Sequence, residues 1–219
     1  MTAKKEIQAV KKIYEGKKRD FDRRLADFRN VWKSGDSEKI LHELIFCIFT
    51  PQSKAVNCWA CVEAIIEKKL MMKASPGELL KLKEMNMVRF KNKKAVFAVE
   101  ARNRFVKNGR ITIREFLAGF DDVYEMREWL AKNIKGYGYK EASHFLRNIG
   151  FVDDIAILDR HILKNLRLMG VIKQVPVSIT PAVYIDIEKK MQKFSAKQGI
   201  PMGVLDLVLW YREAGKIFK

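Results

Sequence analysis

The stretch that decides the fold is Asn133-Ile-Lys-Gly-Tyr-Gly-Tyr-Lys-Glu-Ala-Ser-His-Phe-Leu-Arg-Asn-Ile-Gly150, where two helix-like segments meet at Gly136-Tyr-Gly138. Gly136 and Gly138 suit a tight turn that needs unusual backbone angles, and they allow a ligand to approach the main chain closely. The second helix begins directly after them, so its unpaired amides and positive dipole end favour a phosphate. The stretch predicts a helical hairpin with an anion site, although a hairpin whose glycines only make the turn has the same pattern.

Lys140 lies in the first turn of the second predicted helix, where a cation is normally disfavoured. Its amine should therefore ionise less readily, which is what a nucleophilic lysine requires. The simpler interpretation is a solvated lysine. The apolar run Ala156–Leu158 and the triplet Asp159-Arg-His161 that follows it favour the functional interpretation.

These motifs resemble the helix-hairpin-helix DNA glycosylase superfamily, in which a hairpin lysine is followed by an essential aspartate. Here Asp159 lies 19 residues after Lys140. Within that superfamily, the runs Lys140–Asn148 and Leu205–Tyr211 are similar to the compact 8-oxoguanine DNA glycosylases of archaea and some thermophilic bacteria. The resemblance covers about residues 38–219 and implies a bifunctional glycosylase and AP lyase.

The resemblance implies roles for the motif residues. Lys140 would attack the damaged nucleotide and form an imine, and Asp159 would stabilise the developing oxocarbenium charge. Gly136, Gly138 and His161 would hold DNA phosphates. Taken alone, Asp159 is also a good helix N-cap, and His161 could be an ordinary core or surface histidine.

The resemblance also assigns the residues that handle the bases. Gln52, in a polar turn after Pro51, matches the side chain that fills the gap left by an extruded base, although the compact glycosylases usually have Thr-Ala-Asn here. Phe90 and Trp210 would stack on the damaged base, and the main-chain carboxylate of Lys219 would accept the extra N–H of 8-oxoguanine. Without the resemblance, Phe90 and Trp210 are expected in the core and Lys219 in a frayed terminus.

The composition is consistent with a nucleic-acid partner. A net charge of +17 implies a polyanionic partner, either nucleic acid or an acidic membrane surface. The sequence has no long apolar span and its start has no signal-peptide core, so we expect no membrane contact. The expected partner is double-stranded DNA containing oxidised guanine, bound by a monomer in the cytoplasm of a prokaryote.

We expect no metal and no cofactor. Cys58-Trp-Ala-Cys61 has metal-ligand spacing, but the chain has only one further cysteine, Cys47, so packed thiols are the better interpretation. The iron–sulfur cluster of some superfamily members needs four cysteines near the C-terminus. This chain has none after Cys61.

The helical periodicity predicts an all-α fold without strand pairs. Ser37 is the expected cap of the second helix, and Ser75-Pro-Gly-Glu78 is a predicted capping box. By resemblance we expect two lobes, residues 37–146 and residues 1–36 plus 147–219, with the hairpin at the cleft between them. Two other functions stay open: an oxidised-pyrimidine glycosylase of the endonuclease III kind, and a non-enzymatic helix-hairpin-helix DNA-binding module.

Overall fold

The computed structural model describes residues 2–219 and is largely helical, as predicted. Its helices are α1 (Ala3–Lys33), α2 (Ser37–Phe49), α3 (Ala55–Glu67), α4 (Pro76–Leu80), a 3₁₀ helix (Lys83–Met87), α5 (Lys91–Phe105), α6 (Ile113–Leu117), α7 (Val123–Asn133), α8 (Tyr139–Asn148), α9 (Arg160–Leu168), α10 (Pro181–Gln198) and α11 (Met202–Ala214). Over the described residues, no helix combines the length and apolarity needed to cross a bilayer.

The chain divides into two compact units. One comprises the residues up to Asn30 together with Leu146–Lys219, and the other comprises Val31–Phe145. In the sequence-based prediction, the chain passes from one lobe to the other between residues 36 and 37 and again between residues 146 and 147. These lobe boundaries stay a prediction.

Helix α2 is the centre of the Val31–Phe145 unit. Every residue from Ile40 to Phe49 is buried, and α2 contacts α3, α5 and α6. This agrees with the nearly uninterrupted apolar sequence of its second half, because a helix that is apolar all round must be covered on all sides. The helix ends at Phe49, although its cap Thr50 keeps helical angles (φ −69°, ψ −32°), because Pro51 has no N–H to donate the next helical hydrogen bond.

Helix α11 is the centre of the other unit, which is formed by the two chain ends. It contacts α9 and α10, and its residues from Met202 to Leu209 are buried. A Cβ atom at Gly203 would lie 2.5 Å from the carbonyl oxygen of Val152, so only glycine allows this close approach. The segment before α9 is thereby packed against the first turn of α11.

Two local predictions are wrong. The cap of α2 is Asp36, whose carboxylate accepts from the amides of Glu38 and Lys39, and not Ser37. A two-stranded antiparallel pair, β1 (Val106–Lys107) and β2 (Arg110–Ile111), follows α5 where no strands were expected. The predicted capping box is confirmed, since the Ser75 and Glu78 side chains each bond to the other's main-chain amide.

Candidate active site and nucleic-acid interface

The predicted hairpin is formed by α7 and α8, with a five-residue turn from 134 to 138. Gly136 has a φ of +87°, and a Cβ atom there would lie 3.0 Å from the Phe97 ring. Glycine is therefore required at 136 for both its backbone angle and its packing. The expectation of an unusual backbone angle is wrong for Gly138, because one left-handed residue is enough to turn the chain.

Tyr137, between the two glycines, anchors the turn to the central helix. Its hydroxyl donates a hydrogen bond of 2.9 Å to the carbonyl oxygen of Leu44 in α2. Burial raises the pKa of the Tyr137 phenol, so the hydroxyl stays protonated and remains a donor. The buried ring fixes the turn on the core while Gly136 and Gly138 remain exposed.

Lys140 and the Gly138 amide share one carboxylate. The Lys140 amine lies 3.0 Å from Glu141 Oε1, and the Gly138 amide donates to Glu141 Oε2 at 3.2 Å. The Lys140 side chain is 29% exposed and the Glu141 side chain 15%. A negative group therefore already occupies the amide that was predicted to hold a phosphate, so a phosphate bound there must displace Glu141.

Gln52 and Phe90 lie in the same unit as the hairpin and are both exposed. Phe90 is 53% exposed, which rules out a core role, and the Arg89 guanidinium lies 5.0 Å from the centroid of its ring. Both residues have left-handed backbone angles, with φ of +56° at Gln52 and +59° at Phe90. Such angles are uncommon for residues with a side chain.

Asp159 and His161 lie in the other unit, at the start of α9. Asp159 is the N-cap, as predicted, and its Oδ1 accepts hydrogen bonds of 2.8 Å from the amides of His161 and Ile162. The carboxylate is therefore held in a fixed direction. The His161 side chain is 34% exposed, and its Nδ1 lies 3.6 Å from Glu213 Oε2. A phosphate contact by His161 stays a prediction.

A second carboxylate, Asp206 of α11, belongs to the same unit as Asp159 and was missed by the sequence analysis. It is buried, and burial raises its pKa to about 6. The charge of Arg147 and a hydrogen bond with the main chain of Ile157 lower that pKa, whereas the charge of Asp159 raises it. Asp206 thus joins α11 to the segment that leads into Asp159.

Trp210 and Lys219, the remaining predicted base-pocket residues, lie in the unit of Asp159 and are partly exposed. Trp210 is in the last part of α11, which ends at Ala214 and is capped by Gly215 with a φ of +71°. Its partial exposure does not fit the alternative of ordinary core packing, and its role in stacking stays a prediction.

The three cysteines are packed as expected. Cys47, Cys58 and Cys61 are fully buried, and Cys58 donates to the Phe49 carbonyl oxygen. Burial raises the thiol pKa of Cys58 to about 11 and that of Cys61 to about 12, which disfavours the thiolate needed for metal binding or redox chemistry. Within residues 2–219, no group of three or more potential metal ligands comes together.

Comparison with known proteins identifies the family. A family model described as 8-oxoguanine DNA glycosylase matches residues 21–200. The chain belongs to the 8-oxoguanine DNA glycosylase family. A relative from Fusobacterium nucleatum, an 8-oxoguanine DNA glycosylase/AP lyase, is 47% identical over 210 residues, covering 96% of each chain.

Solved structures of family members agree with this assignment. The crystal structure of the Methanocaldococcus jannaschii 8-oxoguanine DNA glycosylase matches with a TM-score of 0.83 and 34% identity, covering 97% of this chain and 96% of that one. The complex of the same archaeon's 8-oxoguanine glycosylase/lyase with a 15mer DNA containing 8-oxoguanine matches with a TM-score of 0.82 and 33% identity, covering 97% of this chain and all of that one. The resemblance inferred from the hairpin and the last helix is confirmed.

In this member of the 8-oxoguanine DNA glycosylase family, the predicted site residues divide between the two units. The Val31–Phe145 unit carries Gly136, Gly138 and Lys140 with Gln52 and Phe90. The other unit carries the remaining four: Asp159, His161, Trp210 and Lys219.

Proposed function

We propose that this protein excises 8-oxoguanine from double-stranded DNA and then cleaves the strand at the resulting abasic site. The reaction is the one for which its family members are named, 8-oxoguanine glycosylase and AP lyase. The site residues include the groups that this reaction needs. The single observation that carries the proposal is the position of Lys140, partly exposed in the first turn of α8 directly after the Gly136 turn. By resemblance alone, we also propose that the enzyme acts as a monomer in a prokaryotic cytoplasm.

The first step is extrusion of the damaged nucleotide. A base inside a duplex stack cannot be reached by a side chain, and flipping it out costs a few kcal/mol. Phosphate contacts at the Gly136–Gly138 turn and at His161 hold the deformed backbone, supported by the net charge of +17. Gln52 fills the vacated position in the stack, while Phe90 and Trp210 each provide an aromatic ring on which the extruded base can stack.

The chemical step uses Lys140 as the nucleophile. Its neutral amine attacks the anomeric carbon; the new C–N bond replaces the bond to the base, and the base leaves with a proton. The sugar ring opens to an imine, which acidifies the neighbouring sugar proton, and loss of that proton expels the 3′ phosphate by β-elimination. The Asp159 carboxylate stabilises the positive charge that develops on the sugar.

Two assays test the proposal. Borohydride reduction should trap a covalent protein–DNA adduct, which a module that only binds DNA cannot form. A cleavage panel should show preference for 8-oxoguanine over oxidised pyrimidines and should reveal the effect of the opposite base. Efficient release of oxidised pyrimidines without release of 8-oxoguanine would assign the protein to an endonuclease III-like activity instead.

Replacing Glu141 with glutamine should tighten DNA binding. The Glu141 carboxylate accepts from the Gly138 amide; a glutamine oxygen can still accept there but carries no negative charge, so it competes less strongly with a phosphate at the positive end of α8. We expect the Kd for a duplex with a tetrahydrofuran abasic analogue to fall about 2- to 5-fold, equivalent to about 0.4–1 kcal/mol. The matched control is Glu125→Gln, the same charge change at an exposed site in the first turn of α7. Equal tightening in both variants would indicate a general charge effect and contradict a phosphate at Gly138.

Deleting Lys219 should reduce lesion selectivity more than abasic-site cleavage. A carboxylate at this residue accepts the N–H that 8-oxoguanine has and guanine lacks, and an abasic site has no base to recognise. The measurement is single-turnover rates on 8-oxoguanine and abasic duplexes. Lys219→Gln changes the side chain alone and should retain the selectivity, so a loss in both variants would assign recognition to the side chain. Equal losses on both substrates in the deletion variant would remove Lys219 from recognition.

A further inference from the structure

Lys94 of α5 is a buried cation bonded to a single turn. Its side chain is buried, and its amine donates to the carbonyl oxygens of Phe49 (2.7 Å) and Pro51 (2.6 Å) and to Ser53 Oγ (3.1 Å). An ammonium group has three N–H donors, and here all three are directed at residues 49–53. Buried lysines are rare because removing the charge from water is costly. The three bonds therefore indicate that a cation is needed at this position to hold residues 49–53.

The turn that Lys94 holds carries Gln52. The carbonyl of Pro51, which Lys94 contacts, belongs to the peptide group that immediately precedes Gln52. Gln52 has the uncommon φ of +56°, and a conformation of this kind persists only where its surroundings enforce it. The hydrogen bonds from the Lys94 amine to Phe49, Pro51 and Ser53 hold the turn in this conformation.

Ser53 extends the same network to the loop that carries Phe90. Its Oγ accepts from the Arg89 amide at 3.0 Å as well as from Lys94. Phe90 follows Arg89, has a φ of +59°, and its carbonyl accepts from the Lys94 amide at 3.1 Å. The two left-handed, exposed residues with proposed base contacts are thus connected through one lysine and one serine.

We propose that Lys94 is a positioning residue that fixes Gln52 and Phe90 relative to each other for base extrusion and recognition. This inference depends on the proposed function, because it needs Gln52 and Phe90 to act on the bases. Lys94 itself is buried and touches no substrate in this scheme. Its loss should therefore affect the steps that involve a base and largely spare the chemistry of Lys140.

The charge state of Lys94 gives the network a pH dependence. Burial lowers the pKa of its amine to about 8; among the groups that face it, Cys58 and Glu141 raise that pKa and Lys140 lowers it. The ammonium form with three donors is therefore present below about pH 8 and is lost as the pH rises through that value. Above it, a neutral amine has one donor fewer for the turn.

The central experiment compares Lys94→Met with Lys93→Met, an exposed neighbour that loses the same charge. Single-turnover rates are measured on an 8-oxoguanine duplex and on an abasic duplex. For Lys94→Met we expect a fall on the order of 10- to 100-fold on 8-oxoguanine and less than about 3-fold on the abasic site. Lys93→Met should lower the two rates by the same factor.

Two further measurements separate positioning from a general loss of structure. In a Gln52→Ala/Phe90→Ala background, Lys94→Met should have little further effect on 8-oxoguanine excision, since residues acting through one another are not additive. In the wild type, the ratio of the 8-oxoguanine rate to the abasic rate should fall as the pH rises through about 8, and Lys94→Met should abolish that fall. Both reactions depend on Lys140, so taking the ratio cancels any effect of pH that they share.

Ser53→Ala keeps the test decisive if Lys94→Met fails to fold. It removes only the hydroxyl that joins Lys94 to the Arg89 amide. Like Lys94→Met, it should lower the rate on 8-oxoguanine more than the rate on the abasic site. Equal losses on the two substrates, or full additivity in the triple variant, would overturn the role of Lys94. A wild-type protein that forms no borohydride adduct would instead refute the proposed function, so the two failures are distinguishable.

Discussion

Lys140→Gln should abolish the borohydride-trapped protein–DNA adduct while retaining binding to a tetrahydrofuran duplex. The glutamine side chain is similar in size and polar, but its amide nitrogen is not nucleophilic, so no imine can form. We expect the strand-cleavage rate on abasic DNA to fall by about 10³-fold or more, the scale of losing a covalent nucleophile. The Kd should change by less than about 5-fold, because one cation among 43 lysines and arginines is removed.

Lys132→Gln is the matched control for this experiment. Lys132 lies near the end of α7, in the other helix of the hairpin, and its amine pairs with Glu128 at 2.8 Å. It loses the same charge through the same substitution and should still form the adduct. Full adduct formation by Lys140→Gln would reject Lys140 as the nucleophile and direct the search to another amine.

The hairpin shows how far a sequence pattern can predict a site. The glycine-bounded turn, the start of α8 at Tyr139 and the left-handed Gly136 all follow from local sequence. The contact between Glu141 and the Gly138 amide is also visible in the sequence pattern. A glutamate three residues after a helix cap commonly accepts a hydrogen bond from the main-chain amide of that cap.

Lys94 could not have been predicted from the sequence. It belongs to the run Lys91-Asn-Lys-Lys94, and nothing local distinguishes it from its two exposed or half-buried neighbours. Only the packing of α5 against the 49–53 turn buries one lysine of the three. The β1–β2 pair was missed for a related reason, since two residues per strand are too few to show an alternating pattern.

The cap of α2 illustrates an ambiguity that local sequence leaves open. Asp36 and Ser37 are adjacent and both are favoured N-caps. The structure selects Asp36, which has the extended backbone angles that a cap requires, with φ of −76° and ψ of 95°. Asp159 had no adjacent competitor of this kind, and its capping role was predicted correctly.

Asp159→Asn should remove most turnover while leaving folding and DNA binding nearly unchanged. Asparagine caps a helix about as well as aspartate, so the two hydrogen bonds from the His161 and Ile162 amides can be kept while the charge is lost. The stabilisation of a developing positive charge then disappears, and we expect 8-oxoguanine excision to slow by about 10²-fold or more. Single-turnover kinetics and thermal unfolding on the same preparation measure the two effects.

Asp122→Asn provides the control, because Asp122 caps α7 by the same pattern, accepting from the Tyr124 and Glu125 amides. It should leave excision unchanged. Asp159→Ala should lose both the charge and the cap, adding about 1 kcal/mol of destabilisation to the same kinetic defect. If Asp159→Asn excised 8-oxoguanine at the wild-type rate and only Asp159→Ala were impaired, Asp159 would act as a helix cap alone. The negative charge needed at the sugar would then have to come from another carboxylate, and Asp206 of the same unit would be the first to test.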